Sequence, residues 1–211
     1  MIKDSKLIIR VSVSLLMLLM VQLGGERIMA LTDTDPLVQL QKSIDQILVI
    51  LQSDELRVPE KKAERKESIL KIVNNMFDFH AMARSSLGQN WSSLTAEEQE
   101  RFVGLFASLI EQRYIGKIDA YNNQKVIYKE QRVRDDRARV YTALIDRELE
   151  IPIDYSLEKR EGKWLIQDLK IENVSLIVNY RRDFNSIIRK EQFAGLVKKI
   201  TTQLEKSDMQ N

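Results

Sequence analysis

The chain of 211 residues is long enough for one globular domain, and its 44% hydrophobic content is enough for a buried core. The formal net charge of +2 at pH 7 excludes a strongly basic nucleic-acid-binding protein, and the absence of cysteine excludes disulfide bonds and thiolate metal sites. The single histidine, His80, excludes a metal centre built from several histidines. We therefore expect no nucleic-acid partner, no metal and no cofactor.

The first 30 residues have the organisation of a secretory signal peptide. Three basic residues precede an apolar run at 11–23, which is too short to span a bilayer comfortably, and the imperfect cleavage sequence Ile-Met-Ala follows at 28–30. The alternative is an uncleaved membrane anchor, which the charges of Glu26 and Arg27 beside that sequence favour. Export is the better interpretation, with residues 1–30 as signal peptide and 31–211 as a single domain. Removal of residues 1–30 leaves 29 basic and 29 acidic residues (33 less 4 and 31 less 2), a net charge near zero.

The first half of the exported chain has the spacing of amphipathic helices. Asp35 is the N-cap of the first helix, with a proline at the first helical position. A short helix over 77–87 is predicted to stop at Gly88. Thr95 and Glu98 form a capping box, which starts the strongest helix of the sequence. Each helix has an apolar face, so we expect it to pack against another layer.

From about residue 125 the apolar residues recur at every second position, which is typical of strands. Pro152 has no N–H to donate, so it should lie at a sheet edge or beside a bulge. The turn sequence Glu161-Gly162 joins the last two strands as a hairpin. The predicted strands span residues 126–133, 138–146, 149–157 and 164–171.

The segment 164–184 runs from a strand into a helix. Trp164, Ile166 and Asp168 alternate onto one predicted face of the strand. Ser175 then stands at the N-cap of a helix whose apolar stripe must pack. Helices, then a meander, then a final helix predict an α+β fold, with several helices packed on one side of a roughly four-stranded antiparallel sheet.

The sequence offers few groups for catalysis. It contains no G-x-S-x-G motif and no glycine-rich phosphate loop. His80 is a candidate base, although a role in local packing or hydrogen bonding is the better interpretation. Asp168 is a candidate general acid, and it is a candidate partner of Asp154 across a hairpin, although the spacing does not require that pair. We therefore expect that the protein is not an enzyme.

Apolar residues are concentrated on faces that the sheet and its helices would turn toward one another. Protein interiors normally pack without voids, so a filled core is the better interpretation of these faces from the residues alone. The three faces consist of Ile151, Ile153 and Tyr155 on a strand, Phe106, Ile110 and Tyr114 on one helix, and Tyr180 and Phe184 on another.

Two sequence blocks are specific by their order and spacing, although neither is chemically diagnostic. The first is F-D-F-H-A-M-A-R-S-S-L-G-Q-N-W at 77–91, followed by L-T-A-E-E-Q-E-R-F-V-G-L-F at 94–106. The second is W-x-I-x-D-x-x-I-x-x-V-S-x-x-x-N-Y-R-x-x-F at 164–184, followed by F-A-G-L-V-K-K-I at 193–200. From about Asp35 onward the chain thus resembles the MlaC family, which are periplasmic phospholipid carriers also called toluene-tolerance proteins.

The resemblance implies a deep lipid pocket between the sheet and the helices, which holds the acyl chains of a phospholipid. The eight residues of the three apolar faces are then the candidate pocket lining. It also implies a periplasmic carrier that serves outer-membrane lipid asymmetry. Its partners would be an inner-membrane ABC-transporter and MCE complex and an outer-membrane lipoprotein complex. An aspartate at position 168 in a family of carriers favours a structural hydrogen bond, to a helix end or a nearby arginine.

Two other classes of function stay as alternatives. One is a small-molecule enzyme of a cone-shaped α+β fold that uses Asp168 or His80 as its base. The other is an adaptor of an export complex that binds no lipid. Phospholipid recovered by organic extraction of the purified protein would favour the carrier over both.

We predict that the exported protein begins near Leu31, because the apolar run is short and is followed by a cleavage sequence. Intact-mass measurement of the exported protein should give the mass of residues 31–211. A full-length mass confined to the membrane fraction would show instead that the segment is an anchor.

Overall fold

The computed structural model describes residues 35–119, 121 and 123–208. The predicted signal peptide at 1–30 and its cleavage before Leu31 lie outside these residues and stay predictions. Within the described ranges the helices are α1 (Pro36–Gln52), α2 (Asp54–Arg57), α3 (Lys62–Met76), α4 (Phe79–Leu87), α5 (Ala96–Asp119) and α6 (Leu176–Asp208), with 3₁₀ turns at Pro59–Lys61 and Gly88–Ser93. The strands are β1 (Lys125–Arg134), β2 (Arg137–Asp146), β3 (Leu149–Arg160), β4 (Lys163–Ile171) and β5 (Val174–Ser175).

The strands of the described chain form one antiparallel sheet in the order β1-β2-β3-β4-β5. Each strand pairs with its neighbour in sequence, through turns in which Asp135, Arg147 and Gly162 have positive φ. Strands β1 to β4 correspond to the four predicted strands, and β5 adds only two residues at one edge. Helices packed against an antiparallel sheet confirm the predicted α+β class.

The helix ends have the structures that the sequence predicts. The Asp35 carboxylate accepts a hydrogen bond from the Val38 N–H at 3.0 Å. The Glu98 N–H donates to Thr95 Oγ1 at 3.2 Å, and the Thr95 N–H donates to Glu98 Oε2 at 2.9 Å. Gly88 ends α4 with a φ of 58°, a backbone conformation that would be strained for most other residues. These bonds satisfy backbone groups that a helix leaves unpaired at its ends.

A one-residue bulge in β4 shows that the predicted face of Asp168 was wrong. The register advances from Ile166 to Asp168 over a single step of β3, so Gln167 is an extra residue. Because successive side chains of a strand point to opposite faces, one extra residue reverses the alternation beyond it. Trp164 and Ile166 are buried toward the helices, whereas Asp168 points to the opposite face.

Pro152 lies in an interior strand, at a point where the pairing with β4 has ended. The last paired residue of β4 is Ile171, which lies opposite Ile153. The Pro152 carbonyl accepts a hydrogen bond from the Glu172 N–H, in the turn after β4, at 3.0 Å. The nitrogen and carbonyl of one residue point to the same side of an antiparallel strand, so the Pro152 nitrogen also faces the end of β4. On the side that faces β4, the Pro152 nitrogen therefore needs no strand partner, which is the situation predicted for an edge position.

The core consists of two clusters of buried side chains. The helical core lies between α4, α5 and α6 and is centred on Phe102, whose ring lies 6.1 Å from Phe106, 5.8 Å from Phe184 and 5.9 Å from Phe193. The sheet core lies between the sheet and α1 and α3, and its buried members are Leu40, Met76, Ala138, Val140, Leu157, Trp164 and Ile166. Phe77 and Leu169 pack against both clusters, so they mark the place where the clusters meet.

The last helix, α6, changes direction at Gln192, whose backbone has a φ of 61° and a ψ of 179°. Beyond this point Leu196 and Ile200 return to the helical core. Among the described residues no helix has both the length and the apolar character needed to cross a membrane.

Asp168 ties the sheet to the start of α6. Its Oδ2 accepts a hydrogen bond from Ser175 Oγ at 2.6 Å, and its Oδ1 accepts one from the Ile177 N–H at 3.0 Å. Ser175 Oγ in turn accepts a hydrogen bond from the Val178 N–H at 3.1 Å, which makes Ser175 the predicted N-cap. The expected hydrogen bond from Asp168 to a helix end is therefore present.

We predict that Asp168→Ala lowers the free energy of unfolding by about 2 kcal/mol, because it removes the acceptor of two hydrogen bonds at the start of α6. Urea denaturation followed by circular dichroism would measure the loss. Asp154→Ala is the matched control, since Asp154 is a partly buried aspartate of the neighbouring strand, and its loss should be less than half as large. Equal losses would show that the contact with the helix end contributes little.

Candidate functional site

An apolar cavity of about 450 Å³ lies between the sheet and helices α1, α3 and α5. Its sheet wall is formed by Leu144, Ile151, Ile153, Tyr155, Leu169 and Ile171. Its helix wall is formed by Ile44, Ile47, Leu48 and Leu51 of α1, by Leu70, Val73 and Met76 of α3, and by Ile110, Tyr114 and Ile115 of α5. Phe77 and Leu176 are further apolar wall residues, and Glu111, Tyr121 and Gln124 add polar groups.

The strand register brings the apolar residues of the sheet wall to one face. Ile153 pairs with Ile171, and Tyr155 pairs with Leu169, so each pair lies side by side on the face that the helices cover. The bulge at Gln167 is the reason that Leu169 and Ile171 share this face with the residues of β3. Without the extra residue, these two side chains would point away from the cavity.

Several of the predicted pocket residues line the cavity. They come from the strand face of β3 and from the C-terminal half of α5, and they are Ile110, Tyr114, Ile151, Ile153 and Tyr155. Period-two spacing on β3 and helical spacing on α5 are enough to put these residues on faces that meet.

Three other predicted pocket residues, Phe106, Tyr180 and Phe184, lie in the helical core and not on the cavity wall. The Tyr180 ring lies 5.6 Å from that of Phe106 and 5.2 Å from that of Phe184. Phe106 belongs to the same helical stripe as Ile110, but α4 and α6 cover the stripe at Phe106 and the cavity begins one turn later. Helical periodicity predicts which face is buried, but it does not predict what that face contacts.

Sequence reasoning missed the part of the wall that α1 and α3 supply. The α1 residues recur at positions 44, 47, 48 and 51, which is the spacing of one helical face. The α3 residues at 70, 73 and 76 have the same kind of spacing. Spacing of this kind predicts that a helix has a buried face. It does not distinguish a face that packs on a core from one that borders a cavity.

Two tyrosine hydroxyls, one on the cavity wall and one in the helical core, have raised pKa values. Burial raises the pKa of Tyr155, on the cavity wall, to about 12, although a hydrogen bond with the Thr142 side chain acts in the opposite direction. Burial also raises the pKa of Tyr180 to about 12, and its hydroxyl has no hydrogen-bond partner within the described part of the chain. Both phenols are neutral at physiological pH, so neither is a base for proton transfer.

Glu111 is the charged residue of the described cavity wall. Burial raises the pKa of its carboxyl group, while a hydrogen bond from the Asn74 side chain and the positive charge of Lys66 oppose this rise. Asn74 and Lys66 are exposed, whereas Leu70, which lies one turn from each of them on α3, lines the cavity. Glu111 therefore lies where the cavity wall meets the exposed surface of α3.

The candidate catalytic residues lie away from the cavity. The His80 side chain is 53% exposed, and its Nε2 lies 3.9 Å from Glu100 Oε1. Its ring packs edge-to-face with that of Trp91, with 5.4 Å between the ring centroids. Asp168 is engaged at the start of α6, and its register partner is Ser156, so it does not lie opposite Asp154. Within the described ranges no three histidine, aspartate or glutamate residues are grouped to hold a metal ion.

These observations define the class of protein: an α+β domain in which an apolar cavity lies between an antiparallel sheet and the helices that cover it. The sequence model of one family, described as MlaC protein, matches residues 41–202, which is well over half of the chain. The chain therefore belongs to the MlaC family.

Known proteins are similar to this chain over most of its length. The intermembrane phospholipid transport system binding protein MlaC of Haemophilus influenzae is 22% identical over 177 residues, which are 81% of this chain and 83% of that protein. The solved structure of a phospholipid-binding protein from Ralstonia solanacearum, in complex with a phospholipid, matches with a TM-score of 0.72 at 24% identity. The match covers 82% of this chain and 99% of the solved chain, so the two share a fold.

We predict that Glu111→Gln raises the melting temperature at neutral pH. A carboxyl group whose pKa is raised in the folded state favours folding below its unfolded pKa, and this contribution is lost as the pH rises through the folded pKa. Glutamine avoids the cost of burying a charge, so the gain should shrink as the pH is lowered to about 4, where the wild-type carboxyl group is becoming protonated. Thermal denaturation at both pH values would measure it.

The control for this prediction is Glu97→Gln, which removes an exposed carboxylate from the same helix and should give no gain. A gain for Glu111→Gln that is equal at both pH values would show that it does not come from the buried charge.

Proposed function

We propose that this chain is a periplasmic phospholipid carrier that encloses acyl chains in the cavity between its sheet and helices. The observation that carries the proposal is the cavity itself, with a wall of isoleucine, leucine and aromatic side chains from three strands and three helices. The proposal is supported by membership of the MlaC family and by the fold shared with a protein solved in complex with a phospholipid.

The size of the cavity supports a role as a ligand-binding site, because the cavity is too large for a packing defect. At about 450 Å³ it is about fifteen times the ~30 Å³ that one water molecule occupies in the liquid. Protein interiors have few voids larger than a single water molecule. Its apolar wall gives water few hydrogen-bond partners, so alkyl chains fit the cavity better than water does.

The energy of lipid transfer explains why a carrier needs an enclosed site. Removing an alkyl chain from water is worth roughly 0.8 kcal/mol per methylene, so two tails left in water would cost on the order of 20 kcal/mol. A shallow surface patch removes only part of each chain from water. A cavity bounded by a sheet and three helices removes much more of each chain from water, while the polar headgroup stays near the solvent.

We further propose that the carrier exchanges phospholipid with an inner-membrane ABC-transporter and MCE complex and with an outer-membrane lipoprotein complex, and so serves outer-membrane lipid asymmetry. The name of the Haemophilus influenzae relative, a binding protein of an intermembrane transport system, supports this role. The predicted signal peptide at residues 1–30 supports export. Catalysis is not part of the proposal, because His80 and Asp168 lie outside the cavity.

We predict that Ile153→Glu abolishes lipid binding while the protein still folds. The substitution places a carboxylate on the cavity wall, where water can reach it once the lipid is absent. Organic extraction of the purified variant followed by mass spectrometry would measure bound phospholipid, and circular dichroism would measure folding.

Two isoleucines of the same sheet supply matched controls. Ile166 is 1% exposed in the sheet core, so Ile166→Glu buries an unpaired charge and should prevent folding at a cost of several kcal/mol. Ile127 is 47% exposed on β1, so Ile127→Glu should change neither folding nor lipid content. An Ile153→Glu variant that folds and retains its full lipid content would contradict the proposed acyl-chain site.

A further inference from the structure

Three polar residues of the cavity wall belong to α5 and to the segment that follows it. Glu111 is on the C-terminal half of α5, and Tyr121 and Gln124 belong to the segment that connects α5 to β1. The Tyr121 hydroxyl accepts a hydrogen bond from Gln52 Nε2, at the end of α1, at 3.0 Å. The sheet wall opposite is apolar except for the Tyr155 hydroxyl, which is bonded to Thr142.

This asymmetry orients an amphipathic ligand. Alkyl chains are most stable against the apolar sheet wall, and a polar headgroup is most stable where side chains can hydrogen-bond to it and water can reach it. Glu111 satisfies both conditions, because it is a residue of the cavity wall and its carboxylate interacts with the exposed Asn74 and Lys66. The headgroup of a bound phospholipid would therefore lie beside Glu111.

We propose that Glu111 makes the site select phospholipids that carry a primary ammonium group over phospholipids whose headgroup is anionic. The inference rests on the proposed function, since it concerns the headgroup of a lipid whose chains fill the cavity. It adds a specificity-determining residue to that site, with phosphatidylethanolamine as the preferred chemical class.

The charges around Glu111 explain the preference. A carboxylate accepts several hydrogen bonds, so the bond from Asn74 leaves acceptor positions for an ammonium group. The nearby Lys66 can attract the phosphate of the same headgroup, so the carboxylate and the ammonium of the protein complement the two charges of a zwitterion. A glycerol headgroup offers no positive charge, and its phosphate would be repelled by Glu111.

The burial of Glu111 strengthens this interaction. A charge pair between exposed groups is weak because water screens it. The Glu111 carboxyl group is partly withdrawn from water, as the upward shift of its pKa indicates, so an arriving ammonium group gains more from it than from a surface carboxylate. Exposed glutamates of the same helix, such as Glu97, lack this environment.

The test is a competition between two lipids with identical acyl chains. The purified full-length exported protein is delipidated and incubated with vesicles of equimolar phosphatidylethanolamine and phosphatidylglycerol, and the bound lipids are quantified by mass spectrometry. The wild-type protein should hold phosphatidylethanolamine in about threefold excess, the ratio expected for a partly exposed charge pair. Glu111→Gln should bring the ratio of the two lipids close to one, and Glu111→Lys should favour phosphatidylglycerol. Glu97→Gln should keep the wild-type ratio.

The total amount of bound lipid tests the carrier function, and the ratio of the two bound lipids tests the selectivity. A wild-type protein that binds lipid in a ratio of one, or a folded Glu111→Gln variant that retains the wild-type excess, would overturn the selectivity and leave the carrier function intact. A wild-type protein that binds no lipid from the vesicles would overturn the carrier function and the selectivity with it. The ratio is measured among bound molecules, so it does not depend on how fully each variant is loaded, and circular dichroism verifies that each variant is folded.

Discussion

The hydrogen bonds of the Asp168 carboxylate connect the sheet to the helix that follows it, and they depend on the bulge at Gln167. The extra residue takes Asp168 off the covered face of β4 and directs it to Ser175 Oγ and the Ile177 N–H at the start of α6. The same residue gives the covered face to Leu169 and Ile171, which are part of the cavity wall. One inserted residue therefore produces both the cap of α6 and the last part of the apolar wall, so a change in this register would affect the helix and the cavity together.

The cavity is large enough that its contents matter for the stability of the fold. The helical core and the sheet core meet at Phe77 and Leu169, both of which also line the cavity. The apolar wall of this volume of about 450 Å³ gives water few hydrogen-bond partners, so the wall is poorly solvated when no apolar ligand covers it. The wall is thus more compatible with an apolar ligand than with water, which supports the proposed acyl-chain site.

Much of the fold could be predicted from local signals, and the limits of those signals explain the rest. The caps at Asp35 and at Thr95, the four main strands and the N-cap at Ser175 each follow from side chains within a few positions of one another, so local sequence predicts them. The bulge at Gln167 has no such signal, because apolar residues on both sides of β4 fit either register until the opposite strand is known. Phe106 was misplaced for a related reason: whether its helical face meets packed rings or a cavity depends on α4 and α6, which are distant in sequence.

Directional hydrogen bonds tie both ends of α1 to other parts of the domain. Near its start, Gln39 Nε2 donates to the Trp164 carbonyl at 2.7 Å and Gln39 Oε1 accepts from the Trp164 N–H at 3.0 Å, so one amide side chain holds the helix to β4 as a neighbouring strand would. Near its end, Gln52 donates to the Tyr121 hydroxyl. Apolar contacts alone would draw α1 inward, because they are non-directional and increase as the void is filled. Hydrogen bonds are lost steeply when their geometry changes, so the paired bonds between Gln39 and Trp164 oppose an inward shift of the start of α1 relative to the sheet.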